Sequence, residues 1–322
     1  MYRQPICRRP VTCRLARLMP AALGLVLPLT IQAKPLTFDW PVPATARVVV
    51  EENRRDREVT TEMRLRVTRA AEGQDWRLDF EDVRLIEING NDVTSPEEQA
   101  HLPAPFWVVN ETVPSFVVDA EGRIVEILPV EQQLDAKIEQ IPERPPEVTH
   151  EALRMALFEP NIAEVLRAKV DSYWHLWVGL WLDKALKPGE RTEFDAESDY
   201  FGVTVPSQGS FEHLGAAEAE QPGAARLAFQ LNAAGEPLRQ AIYESIVKAY
   251  EQADQPIPEE ISLEMIESAK RRERVDVLTD PETMRPYEVR AVTSLELDMG
   301  EQGPQVRIEE KVFRFDWAAA AD

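Results

Sequence analysis

Thiols are nearly absent from this 322-residue chain: its two cysteines, Cys7 and Cys13, both fall within the first 33 residues. Histidine is almost as scarce, with His101, His150, His175 and His213 the full complement. His150-Glu151 begins like a zincin helix, but Arg154 stands four residues on, where the second zinc ligand belongs. Glycine numbers only 13, and no glycine-rich loop able to cradle a phosphate occurs. A serine-nucleophile elbow is missing too, since Gln208-Gly209-Ser210-Phe211 lies between predicted strands and the elbow needs a strand-to-helix turn. These shortages argue against thiol, zinc, phosphate-loop and serine-hydrolase chemistry, and no cofactor or metal is expected. Among 57 acids many pairs fall close by chance, so carboxylate hydrolysis is a third reading without specific support.

The first 33 residues read as a secretory signal peptide. Arg3, Arg8, Arg9, Arg14 and Arg17 form a cationic start without an acid, Leu18 to Ile31 is apolar, and Ile31-Gln32-Ala33 suits a signal peptidase cutting after Ala33. A membrane-spanning helix needs about 20 apolar residues; here the run is shorter and is broken by Pro20, Pro28 and Gln32. Both cysteines precede the apolar run, which is the wrong side for lipid attachment. The expected product, residues 34–322, is a single α+β domain, periplasmic or secreted, not membrane-spanning and free of thiols and disulfides.

Positive charge is the other scarcity. The chain carries 36 basic residues against 57 acidic ones, and loss of the five leader arginines deepens the imbalance. Such a charge repels nucleic acid and anionic lipid surfaces at long range, so a nucleic-acid partner is excluded. An acidic surface also keeps an exported protein soluble.

What is present is largely strand. Ala46, Val48 and Val50 alternate with polar residues, as do Val59, Thr61, Met63, Leu65 and Val67, with charged Glu51–Arg57 as their connection. Trp76, Leu78 and Phe80 fall in one register and Val83 and Leu85 in the other, which predicts a β-bulge between Glu81 and Asp82. Pro114 to Ile127 reads as a hairpin turning at Asp119–Gly122. Further strands are predicted at Phe194–Tyr200, more weakly at Phe211–Leu214, and at Ala225–Leu231. The last 50 residues read as a β-meander.

Two helical blocks interrupt the strands, at about 130–187 and 236–270. In the first, Leu134, Ile138 and Ile141 mark a helix stopped by Pro142, Pro145 and Pro146, and Thr149 starts a second. Asn161, with Glu164 three residues on, is the expected N-cap of a third running to Leu186. In the second block Gly235-Glu236-Pro237 opens a helix through Tyr250, and a shorter one is expected from Pro258 to about Lys270. Strands and helices are segregated, so the expected fold is a large curved, half-barrel-like antiparallel sheet with both helical blocks packed on one face.

Tyr173, Trp174, Trp177 and Trp181 make an aromatic stripe on the third helix. Such a stripe packs on the sheet as core, or it walls an apolar cavity between sheet and helices. The layout of leader, bulged strands, Gly-turned hairpin and inserted helices resembles the periplasmic lipoprotein carriers of the LolA-like and LppX-like kind. That resemblance implies an open half-barrel covered by helices and holding acyl chains. The expected function is therefore non-enzymatic binding of a hydrophobic small molecule or lipid, with Tyr173, Trp174, Trp177 and Trp181 lining the site. The alternative is an interaction or assembly factor for the cell envelope, with a protein partner.

Overall fold

The computed structural model describes residues 34–318 apart from 56, 72, 100, 142–147, 159, 201, 259–260 and 301–302. The leader with its cysteines, and Pro142, Pro145 and Pro146, lie outside the described residues.

Alternation of apolar and charged residues produces one open antiparallel sheet of twelve strands. Three strands and a short hairpin arm come first: β1 (Ala44–Arg54), β2 (Arg57–Arg69), β3 (Trp76–Ile88) and β4 (Asn91–Asp92). Helices α1 (Pro96–Gln99) and α2 (Ala104–Asn110) lead to β5 (Phe116–Val118) and β6 (Ile124–Ile127). The first helical block holds α3 (Val130–Ile138), α4 (His150–Leu157) and α5 (Pro160–Trp174), continued by a π-helical turn at His175–Gly179. Then come β7 (Arg191–Tyr200), β8 (Val203–Ala216), β9 (Ala225–Ala234), α6 (Glu236–Gln252), β10 (Ser268–Thr279), β11 (Pro286–Asp298) and β12 (Pro304–Trp317). The spatial order is β6-β5-β3-β2-β1-β12-β11-β10-β9-β8-β7, with β4 beside β3, so the last strand closes onto the first in the middle of the sheet.

The two faces differ completely. Val48, Leu65, Leu78, Phe313, Val289, Val277 and Leu227 point inward from neighbouring strands, and the helices cover them. On the outer face, arginine–carboxylate pairs replace hydrophobes: across strands Arg84 meets Glu62 at 2.5 Å and Arg64 meets Glu81 at 3.1 Å, and along β10 Arg274 meets Asp276 at 2.7 Å. Exposed pairs of this kind contribute about 0–1 kcal/mol each, so the outer face supplies solubility and register more than stability.

Several local expectations hold. The bulge falls where the apolar register changes: Arg64 pairs Glu81 while Glu62 pairs Arg84, and Asp82 takes a positive φ of 52°. Gly122 turns its hairpin at φ 77°, and a side chain there would collide with Phe38. Thr149 caps α4 by accepting the Ala152 amide at 3.1 Å.

Others need correction. Glu51–Arg54 continue β1 rather than forming a connection, because Glu51 and Glu52 pair Thr60 and Val59 in the ladder. Asn161 lies inside α5, which begins at Pro160, whose fixed φ suits the first turn. That helix ends at Trp174 and widens into the π-helical turn instead of running to Leu186; the chain then reverses at Asp183, φ 62°. Phe211–Leu214 is part of a 14-residue strand, β8, which also absorbs the Gln208-Gly209-Ser210 segment. No helix spans Pro258–Lys270 among the described residues: a single 3-10 turn at Leu263–Met265 precedes β10.

One edge is sealed by helices. β5 covers β3 only at Trp76–Leu78, which leaves backbone groups farther along β3 without a neighbouring strand. Glu111, at the end of α2, accepts the Leu85 amide at 2.8 Å, and Lys137 of α3 donates to the Val83 carbonyl at 3.4 Å. The two side chains are paired at 2.5 Å, with Glu111 almost fully buried. An ion pair thus replaces a strand at the exposed edge.

Candidate functional site

The inner face carries two apolar clusters separated by a polar band. In the first, the α5 stripe meets the sheet, and Tyr173, Trp174, Trp177 and Trp181 are 2%, 4%, 0% and 0% exposed. Trp177 lies edge-on to Phe313 and Phe315, with ring centroids 5.4 and 5.1 Å away. Tyr173 meets Phe313 at 4.8 Å, and Trp174 joins Phe38, Trp40 and Phe116 at 5.2–5.6 Å. Trp181 reaches Phe211 at 6.1 Å, toward the β7–β9 side. The structure therefore brings all four sequence-predicted residues into one continuous aromatic interior, in closed contact with the sheet.

The indole N–H groups divide this interior. Trp76 donates to the Trp40 carbonyl at 2.8 Å, Trp174 to the Gly122 carbonyl at 2.8 Å, and Trp181 to the Leu176 carbonyl at 3.2 Å. Trp40 and Trp177 have buried N–H groups with no acceptor. An unpaired buried donor costs about 1–3 kcal/mol, so two in one apolar interior mark a place where an acceptor is missing. Leu36, Phe38 and Trp40 belong to this interior although they lie in the Pro-containing lead-in to β1. Their own alternation was the signal for it.

A charged group closes the first cluster at the Tyr173 end. Lys311 pairs Glu52 at 2.8 Å and sits 4.9 Å from the centre of the Tyr173 ring, while the Tyr173 hydroxyl reaches Glu52 at a long 3.5 Å. Lys169 donates to the carbonyls of Val109, Asn110 and Thr112 at 3.2–3.3 Å, tying α5 to the end of α2. Loss of hydration pushes its ammonium down to about 8, against the pull of Glu52. Burial, reinforced by Glu52, raises the Tyr173 hydroxyl well above its ordinary range. Burial works against the Glu52 carboxylate, but Lys311, with Arg54 and Lys169 behind it, holds Glu52 below its usual value.

The band continues across the sheet. Ladder registers place Glu52 beside Lys311, Glu309 beside Thr293, and Thr293 beside Glu273. Arg271 pairs Glu273 at 3.0 Å, and its guanidinium lies 4.8 Å from the Tyr200 ring centre. His175, on the π-helical turn, has its basicity lowered by burial, with Glu273 pulling the other way. Beyond the band α6 packs Leu238, Ala241 and Ile242 on Val205, Ala233 and Ala269.

Two surface clefts lie elsewhere. The larger, about 730 Å³, is lined by Arg47, Glu62, Arg64, Arg84, Glu111 and Lys137 among others. Its cations are all engaged with acids. The smaller, about 340 Å³, lies beside β7–β9 along Arg191, Asp195, Gln208 and Asn232. Neither is lined by the aromatic stripe. Among the described residues no group of three or more His, Cys, Asp or Glu is placed to hold a metal, and no helix is long and apolar enough to cross a membrane.

No family model and no curated protein matches the chain. Among solved structures it is similar to a lipovitellin, described under lipid–protein interactions in lipovitellin, with a TM-score of 0.39 and 12% identity. The similarity covers 88% of this chain and 26% of that one, so the chain spans about a quarter of the lipovitellin chain it matches.

Proposed function

We propose that the chain is a non-enzymatic exported protein, periplasmic or secreted after cleavage at Ala33, that binds a lipid or other acyl-chain ligand between the sheet and α5. The observation that carries this reading is the pair of acceptor-less indole N–H groups, Trp40 and Trp177, inside an otherwise apolar aromatic interior. An acyl chain is compatible with those walls, and an ester or carboxyl oxygen is the acceptor the two donors lack. Binding then requires α5 to lift from the sheet, since the described interior is closed. Mass spectrometry of organic extracts from the natively purified protein tests the reading: a stoichiometric acyl compound is expected, and its absence from repeated preparations counts against it. Amino-terminal sequencing of the exported protein is expected to begin at Lys34.

A second reading, an envelope interaction factor, is favoured by the closed packing of the indoles and by two surface features. β7 pairs β8 alone and ends the sheet, and Val306 and Ile308 of β12 are 62% and 57% exposed. It predicts that Ile308→Glu abolishes cross-linking to an envelope protein while leaving bound lipid unchanged.

A further inference from the structure

The Tyr173 end of the aromatic interior holds more positive charge than its acids cancel. Three cations act on one carboxylate there: Lys311 pairs Glu52 at 2.8 Å, Arg54 pairs it at 3.4 Å, and Lys169 pulls on it from α5. The two ammonium groups flank a single ring, Lys311 at 4.9 Å and Lys169 at 5.9 Å from the centre of Tyr173. The next pair outward, Arg307 with Glu309, is balanced in itself and leaves the surplus as it was. In a chain with 57 acidic residues against 36 basic ones, a local surplus of cations runs against composition.

Burial makes that surplus costly. The Lys169 ammonium spends its hydrogen bonds on the carbonyls of Val109, Asn110 and Thr112, which fills its N–H groups without cancelling its charge. Like charges held close in a partly dehydrated setting repel, and an added anion relieves them. The cluster also reaches water. The Lys311 and Glu52 side chains keep 16% and 23% of their surface exposed, and Arg54 keeps 60%. At its inner end Lys311 lies 6.0 Å from the centre of the Phe313 ring, and that ring meets Trp177, whose N–H group has no acceptor. A ligand whose chain lies among the indoles therefore has its end one ring away from the cations.

Charge then selects the class of that end. A neutral head cancels nothing here, and a cationic one adds to the surplus. We propose that Arg54 and Lys311, in the added field of Lys169, seat the anionic head, a carboxylate or a phosphate, of an acyl ligand whose chain enters the aromatic interior. The inference rests on the ligand reading above and adds the head-group class to it. In the unliganded fold Glu52 supplies one negative charge to the cluster, and the head supplies another.

The test uses three oleoyl probes titrated below their micellar concentrations into the full mature chain and read by tryptophan fluorescence: oleate, oleoyl lysophosphatidate and monoolein. The better of the two anionic probes is expected to bind about tenfold tighter than monoolein, the advantage of a charge-assisted over a neutral hydrogen bond. The tighter of the two names the head, carboxylate or phosphate. Two variants shift the anionic probes in opposite directions. Glu52→Gln removes the internal anion and is expected to tighten them, whereas Arg54→Gln is expected to weaken them by about fivefold. Monoolein is expected to keep its affinity in both. The Arg54 side chain is largely exposed, so Arg54→Gln is expected to keep the wild-type melting temperature, and it decides the matter alone if Glu52→Gln fails to fold. Monoolein binding as tightly as the better anionic probe, or anionic affinities unchanged in Arg54→Gln, overturns the head-group assignment while the acyl reading stands. If none of the three binds, the acyl reading falls and the head-group site falls with it.

Discussion

The interior under α5 and the interior under α6 share one sheet face but are built from different parts. Under α5 the contacts are large rings meeting edge to face, from Phe38 through Trp174 and Trp177 to Phe315. Under α6 they are mainly Ala233, Ala241, Ala269, Leu238 and Ile242, small and aliphatic, with Tyr200 the one buried ring. Each buried aromatic ring covers about 150–250 Å², so the α5 side concentrates its stability in a few residues, whereas the α6 side spreads it. A cluster of rings with unpaired indole N–H groups is also the easier one to imagine re-forming around a guest. Among the described residues the α6 cluster contains no indole.

This contrast can be broken by substitution. Trp177→Ala is expected to cost about 3–5 kcal/mol in urea unfolding, against about 2–4 kcal/mol for Ile242→Ala under α6. A larger loss at Ile242 would reverse the ranking. The helical seal on β3 comes next: Glu111→Ala strands Lys137 and the Leu85 amide and is expected to cost about 3 kcal/mol. Hydrogen exchange should then rise first at the outer end of β3 and leave β9 and β10 untouched.

The smallest effect is a pH dependence confined to the α5 side. Lys169 releases its proton near pH 8 in the folded chain and near its ordinary 10.5 when unfolded. Above pH 8 the unfolded chain therefore holds more protons, and stability from this group rises with pH. The rise is absent below that point, and the raised hydroxyl of Tyr173 opposes it once the pH passes the ordinary tyrosine range. Between pH 7.5 and 9.5 the wild type should gain about 1–2 kcal/mol relative to Lys169→Met, measured as urea midpoints of both proteins at each pH. A constant difference across that window would remove Lys169 from the account.

Much of the sheet was legible because alternation is local: Val59 to Val67 and Ala225 to Leu231 declare their buried face within ten residues. The bulge at Asp82 was equally local, a change of apolar register along one strand. Strand β8 was underestimated because Pro206, Gly209 and Gly215 dilute its pattern. Gly209 has a positional reason, since the Phe194 ring of the paired strand fills the space of a side chain there. Ile261, Met265 and Ala269 repeat every fourth residue and imitate a helix, yet Ala269 is already in a ladder with Leu297. The stripe of Tyr173, Trp174, Trp177 and Trp181 could be placed on one helical face, but not the rings it would meet on β12 and in the lead-in to β1. The polar band was invisible for the same reason. Its members Glu52, Ser198, Glu273 and Lys311 come from strands far apart in the chain and become neighbours only through the sheet order.

The central claim is that an acyl chain lies against the indoles beneath α5, and contact quenching by a brominated fatty acid addresses it most directly. Titration of 9,10-dibromostearate is predicted to quench tryptophan emission saturably, where stearate does not, with the quenching largely lost in Trp177→Phe. Emission unaffected by the brominated acid, or quenched without saturation, would contradict it.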